Sequence, residues 1–138
     1  MQVITKHLEG TPLVTVYVLE VGGVRLVVDP GPASLFEPLE VDAVLCTHLH
    51  LDHCGSAGHF GKPVYVHEKY TQHVVDPSKV YEAARALFGA FAEKFGTPKP
   101  SDAAVGVADG ARLFDAIDAV YTPGHAPHHV MYYYRDEK

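Results

Sequence analysis

The chain lacks the features that mark several large protein classes. No apolar stretch approaches the roughly 18 residues that a bilayer-spanning helix needs. The start, MQVITKHLEG, has neither the basic flank nor the apolar core of a secretory leader. These two absences set the expectation of a cytoplasmic protein with no membrane partner. Cysteine is scarce, and Cys46 and Cys54 alone cannot build the disulfide framework of a small secreted domain. Basic side chains are outnumbered, 11 Lys and Arg against 17 Asp and Glu, for a formal charge of −6 and a pI near 5.9. A surface that grips phosphate backbones is therefore not expected, nor is nucleic acid as a partner. There is no internal repeat, low-complexity tract or linker-like boundary, so residues 1–138 read as a single domain. With 47% hydrophobic and 20% charged residues, the composition suits an ordinary globular chain with one core.

What is present begins with strands. Val14, Val16 and Val18 alternate with Thr15, Tyr17 and Leu19, Gly22-Gly23 turns the chain, and Val24 to Val28 returns as the second arm of a hairpin. Asp29-Pro30-Gly31-Pro32 forbids continuation of strand or helix. Val41, Val44, Leu45 and Cys46 form a short buried strand, Ser56 to Phe60 a helical turn, and Pro63 to Val66 a further strand. Asp76-Pro77-Ser78 carries helix-start chemistry. Val80, Ala84, Leu87, Phe88, Phe91 and Phe95 then recur at helical spacing, which predicts one amphipathic helix from Val80 to Phe95 with its aromatic stripe packed in the core, the alternative being that the stripe lines a substrate pocket. Short strands follow at Val105 to Val107, Ala111 to Phe114, Ala119 to Tyr121 and Val130 to Tyr134, with a turn at Asp109-Gly110.

The chemistry lies in Thr47 to His53, THLHLDH, directly after the strand that ends near Cys46. Imidazole nitrogens and a carboxylate are the donors that suit zinc and similar divalent ions. On a loop, His48 and His50 can face one ion, while Asp52 and His53 turn towards a second. A bound divalent ion lowers the pKa of its water to about 7, and two ions can clamp the attacking and leaving oxygens. Asp52 is the candidate catalytic residue, because a carboxylate can both bind metal and orient or deprotonate the water. Cys46 and Cys54 read as small buried side chains, with Cys54 as a metal ligand the alternative. His59 and His67 read as structural or solvated, and Tyr132 to Tyr134 as alternating across a half-buried strand.

THLHLDH resembles the H-x-H-x-D-H signature of the metallo-β-lactamase-fold hydrolase superfamily, LVVDPG at Leu26 to Gly31 is similar to its strand-to-turn segment, and TPGH at Thr122 to His125 resembles its third ligand loop. The resemblance implies His48, His50 and His125 as ligands of a first metal, and Asp52 and His53 as ligands of a second. Asp29 would stand behind them and fix a histidine's orientation; its other reading is a turn cap. His128 and His129 are weaker candidates to touch metal or substrate. The implied cofactor is zinc, one or two ions per chain, with iron or manganese as alternatives. The implied function is metal-dependent hydrolysis, with metal-bound hydroxide attacking an ester, thioester or phosphoester of a small-molecule substrate. The alternatives are a non-catalytic metal-binding or assembly module, or an iron-dependent sulfur dioxygenase.

The implied fold is α+β, an αββα four-layer sandwich with mostly antiparallel or mixed sheets and flanking helices. The family's bridging aspartate and final histidine have no counterpart before Lys138, and Asp136 comes too early to serve. The chain therefore reads as the N-terminal half of that sandwich, truncated before the second half, with weakened activity or none by itself. A half-sandwich is expected to leave the inner face of its sheet without a partner and an open edge at Tyr134. These features favour a homo-oligomer or a complementary half-domain as partner.

Overall fold

The computed structural model describes residues 1–124, 126 and 129–134. Its first strand, β1 (Gln2–Lys6), escapes the sequence reading because the adjacent Val3 and Ile4 break apolar alternation and only Ile4 and Lys6 are half-buried. It pairs antiparallel with β2 (Val14–Val21), Ile4 opposite Val16. β2 pairs antiparallel with β3 (Val24–Val28) across Gly22 and Gly23, whose φ values of 56° and 84° are the positive pair that a two-residue hairpin turn requires. From β3 the sheet continues in parallel through β4 (Ala43–Leu45), β5 (Val64–His67) and β6 (Ala104–Val107), in the order β1-β2-β3-β4-β5-β6. The central strands are apolar on both faces, as Leu26-Val27-Val28 and Ala43-Val44-Leu45 show, because both faces are covered.

Helical segments cover one face. They include α1 (Leu51–Cys54), a 3-10 turn at Ala57–Phe60, α2 (Gln72–Val75) and α3 (Ser78–Phe88). Val16, Val18, Val27, Val44, Val64 and Val66 pack against Ala57, Phe60, Val74 and Val80 on this side. α3 starts where Asp76-Pro77-Ser78 predicts, the Asp76 carboxylate accepting from the Ser78 N–H at 3.1 Å. The single helix expected over Val80 to Phe95 does not form. Gly89, at φ 61° and ψ −137°, ends α3, and Gly89–Phe95 continues as a 3-10 helix. Apolar periodicity runs through this break because it records side chains and is blind to one residue's backbone.

The other face of the sheet is not bare, which corrects the expectation drawn from a half-sandwich. β7 (Arg112–Leu113), β8 (Ile117–Tyr121) and β9 (Val130–Tyr134) form a small antiparallel sheet. Ile117, Leu113 and Tyr132 from this sheet pack on Leu19, Leu26, Val28, Ala43 and Leu45. The Tyr132 hydroxyl donates to the Cys46 carbonyl at 2.7 Å and tacks the small sheet to the end of β4. The described residues thus make a layer of helices, a mixed six-stranded sheet and a three-stranded sheet. Val120, Met131 and Tyr133 remain exposed on the outward side of the last layer, as strand alternation requires. Among the described residues no helix is long and apolar enough to cross a membrane.

Candidate metal centre

β3, β4, β5 and β6 run parallel, so the segments that follow them emerge at one edge of the sheet. Asp29 follows β3, Thr47 and His48 follow β4, and His67 ends β5. Ligand sites of open α/β sheets lie at this edge. Asp29 takes a left-handed backbone, φ 49°, uncommon for a residue with a side chain but most tolerated by Asp and Asn. Its N–H donates to the Leu45 carbonyl at 3.0 Å. The next turn holds the histidine loop by backbone bonds, Gly31 N–H to the His53 carbonyl at 2.7 Å and Ser56 N–H to the Gly31 carbonyl at 3.0 Å.

The Asp29 carboxylate organises the loop. It accepts from the Thr47 N–H at 2.8 Å, the Thr47 hydroxyl at 2.6 Å and the Cys54 thiol at 3.1 Å. Burial pushes its pKa above the usual carboxylate range, while Thr47, Cys54 and neighbouring His53 pull it back. Thr47 Oγ1 also lies 2.8 Å from His48 Nδ1. A hydroxyl has one proton, and here it goes to Asp29, so Thr47 can only accept from His48. Nδ1 therefore carries the imidazole proton and the lone pair is on Nε2, the tautomer suited to metal coordination. The Asp29 carboxylate thus reaches His48 through the Thr47 hydroxyl.

Around His48 the other rings gather. Its centroid is 4.8 Å from that of His50, 4.5 Å from His53 and 5.1 Å from His129. Asp52 Oδ2 lies 3.5 Å from His53 Nε2, and Asp29 Oδ2 lies 3.9 Å from His53 Nδ1. His48 is buried, His50 exposed, and Asp52 and His53 are half-buried, so the cluster is open on one side. His125, the remaining ligand implied by the resemblance, and the weaker candidate His128 lie outside the described residues, as does Asp136. Among the described residues, no three histidine, cysteine or carboxylate groups are arranged to hold an ion. The fit to a divalent metal is therefore one of donor chemistry, tautomer and proximity.

Cys54 is better explained as a donor than as a ligand. It is buried, its thiol is aimed at Asp29, and burial first, then Cys46 and Asp29, push its pKa well up, keeping it protonated. His129, a weaker candidate from the sequence, lies against the cluster. Its ring stacks on His48, and its Nδ1 lies 2.7 Å from Thr122 Oγ1, repeating the threonine-histidine pairing of Thr47 and His48. The signal was its place four residues beyond His125, at the start of β9. His67 is buried at the same sheet edge, where it stacks on Tyr121 at 3.9 Å and accepts from the Lys69 N–H, in keeping with a structural role.

The apolar stripe from Val80 to Phe95 divides between core and cavity. Phe95 and Ala92 are buried, but Leu87 is 77% and Phe88 49% exposed. Both line a cavity of about 620 Å³ that reaches His50, Asp52 and His53.

The family model described as Metallo-beta-lactamase superfamily matches residues 10–138. Among solved structures, a metallo-beta-lactamase family protein from Thermus thermophilus aligns over 96% of this chain and 55% of its own, at 20% identity and a TM-score of 0.71. An archaeal metallo-beta-lactamase superfamily protein from Sulfolobus tokodaii aligns over 86% of this chain and 53% of its own, at 24% identity and a TM-score of 0.68. The BLEG-1 B3 metallo-beta-lactamase aligns over 87% of this chain and 61% of its own, at 29% identity and a TM-score of 0.58. The chain thus spans little more than half the length of the first two. No curated protein matches.

Proposed function

The chain belongs to the metallo-beta-lactamase superfamily, and on that footing we propose that it is the metal-holding half of a hydrolase acting on an ester, thioester or phosphoester. The observation that carries this reading is the Asp29–Thr47–His48 relay, which prepares Nε2 of a buried histidine beside two further imidazoles and a carboxylate. The fold alone would not carry the reading, because one fold serves many reactions.

In this reading His48, His50 and His125 hold a first ion, and Asp52 and His53 hold a second. Zinc is the ion that such donors ordinarily take. When bound, it supplies Lewis acidity, bringing the pKa of a water towards about 7 and polarising the substrate. Asp52 receives or directs the proton of the attacking water. Asp29 acts at one remove, holding His48 through Thr47 and lying 3.9 Å from His53. His129, stacked on His48, closes the side of the cluster next to β9.

A second reading is a metal-binding module without turnover by itself. It is favoured by the exposed apolar side chains on the outward side of the last layer. In that case the outward face of Val120, Met131 and Tyr133 receives a complementary half or a second copy. Metal analysis after purification without added metal, with turnover of simple thioesters and phosphodiesters measured on the chain alone and with the remaining half supplied, separates the two. One or two ions per chain with turnover supports the hydrolase; ions without turnover in either arm support the module. No bound metal, with His48→Ala as stable as wild type in the presence of zinc, removes both.

A further inference from the structure

The cavity of about 620 Å³ beside the cluster is not required for holding an ion, yet its construction is specific. On one side stands α3, presenting Val80, Ala84, Leu87 and Phe88, an i, i+4, i+7, i+8 stripe. The loop before β2 also contributes to the wall, with Leu13 64% exposed. His50, Asp52 and His53 of the cluster also line it. No residue of α3 is fully buried: Val80 and Ala84 are half-buried against the core, while Leu87 and Phe88 leave the C-terminal end of the stripe exposed towards the cavity. The volume lies within the range of small-ligand sites, which are mostly apolar with a few polar groups at the reacting end.

We propose that this cavity is an acyl-chain subsite, and that the substrate is an ester, thioester or lactone whose acyl group carries an apolar tail. The inference rests on the hydrolytic reading of the cluster and narrows it. The tail lies between α3 and Leu13, which brings the carbonyl to His50, Asp52 and His53. Water adds to the acyl carbon, the C–O or C–S bond breaks, and the products are a carboxylic acid and an alcohol or thiol. A phosphodiester fits this lining poorly, since most of its wall is hydrocarbon and Lys79 is the one lysine or arginine among the described residues that lines it.

Methyl ketones of increasing alkyl length test the subsite apart from turnover, because they have no bond to hydrolyse. Calorimetric titration of the full chain should show each added methylene tightening binding by about fourfold until the cavity is full. Leu87→Ser, at a side chain too exposed to carry folding stability, should weaken the longest ketone by about tenfold and leave acetone unchanged. Ala84→Phe should flatten the length dependence by filling the cavity; if that variant misfolds, Leu87→Ser decides. Binding independent of chain length, or unaltered by Leu87→Ser, overturns the proposal. Acetyl and octanoyl thioesters give the second arm. Turnover of both at equal rates, without ketone binding, removes the subsite and leaves the hydrolase. A ketone length gradient without turnover of any thioester, with metal and the remaining half supplied, keeps the apolar subsite and removes the hydrolytic reading.

Discussion

Thr47→Val isolates the relay at little cost in shape. Valine keeps the β-branch and so the local backbone preference, and it keeps the Thr47 N–H bond to Asp29 Oδ1 at 2.8 Å. It removes only the hydroxyl, and with it the 2.6 Å bond to Asp29 Oδ2 and the 2.8 Å contact with His48 Nδ1. A hydrogen bond to a charged acceptor contributes about 1.5–3 kcal/mol and a neutral one about 0.5–1.5 kcal/mol. The sum, about 2–4.5 kcal/mol, is an upper bound, because Thr47 is partly exposed and water can re-enter. Urea denaturation of the metal-free chain should therefore show a loss of about 2 kcal/mol with an unchanged m-value. Loss of the group that fixes the His48 tautomer should also lower zinc affinity by about 10–100-fold in a chelator competition. Thr47→Ser, which retains the hydroxyl, should bind zinc within a few-fold of wild type. The reasoning is refuted if Thr47→Val matches Thr47→Ser in zinc affinity, or if nitrogen-15 spectra of the metal-free chain place the His48 proton on Nε2.

Tyr132→Phe should cost about 1–2 kcal/mol in the same denaturation assay, because it strips the Cys46 carbonyl of its 2.7 Å donor at the seam between the two sheets; an unchanged midpoint would mean that water replaces it. Asp76 gives a pH-dependent case. Hydrogen bonds from the Ser78 side chain and backbone hold its carboxyl below the usual carboxylate range. Its contribution is present above the pKa of the unfolded chain and is lost as pH falls through the lower folded value. The stability difference between wild type and Asp76→Ala should therefore be full near neutrality and vanish in acid, and a difference that persists at the lowest pH would show that the carboxylate charge is not its source.

Much of the secondary structure could be read from residues whose signals are local. The alternation of Val14, Val16 and Val18 with a Gly-Gly turn yields the hairpin, and Asp76-Pro77-Ser78 marks the start of α3. β1 was missed because the adjacent Val3 and Ile4 break apolar alternation. The break at Gly89 was missed because helical periodicity tolerates a single glycine, and only the surrounding packing decides whether the chain turns there.

For the site, the sequence by itself determined the donors: His48, His50, Asp52 and His53 sit within six residues, so no fold could separate them far. It also determined the family, through short motifs that are each legible within a few consecutive residues. Tertiary structure decided what joins distant parts. Asp29 reaches His48 through a threonine hydroxyl 18 positions away, His129 comes from the start of β9 to stack on His48, and Cys54 becomes a donor to Asp29. It also decided that the inner face of the large sheet is covered by β7, β8 and β9, and that Leu87 and Phe88 of the α3 stripe border a cavity while Val80 and Ala84 pack on the core. The physical reason is the same in each case: hydrogen-bond direction, tautomer and burial are properties of pairs brought together by packing, and a residue type states only what a side chain can do once it has a neighbour.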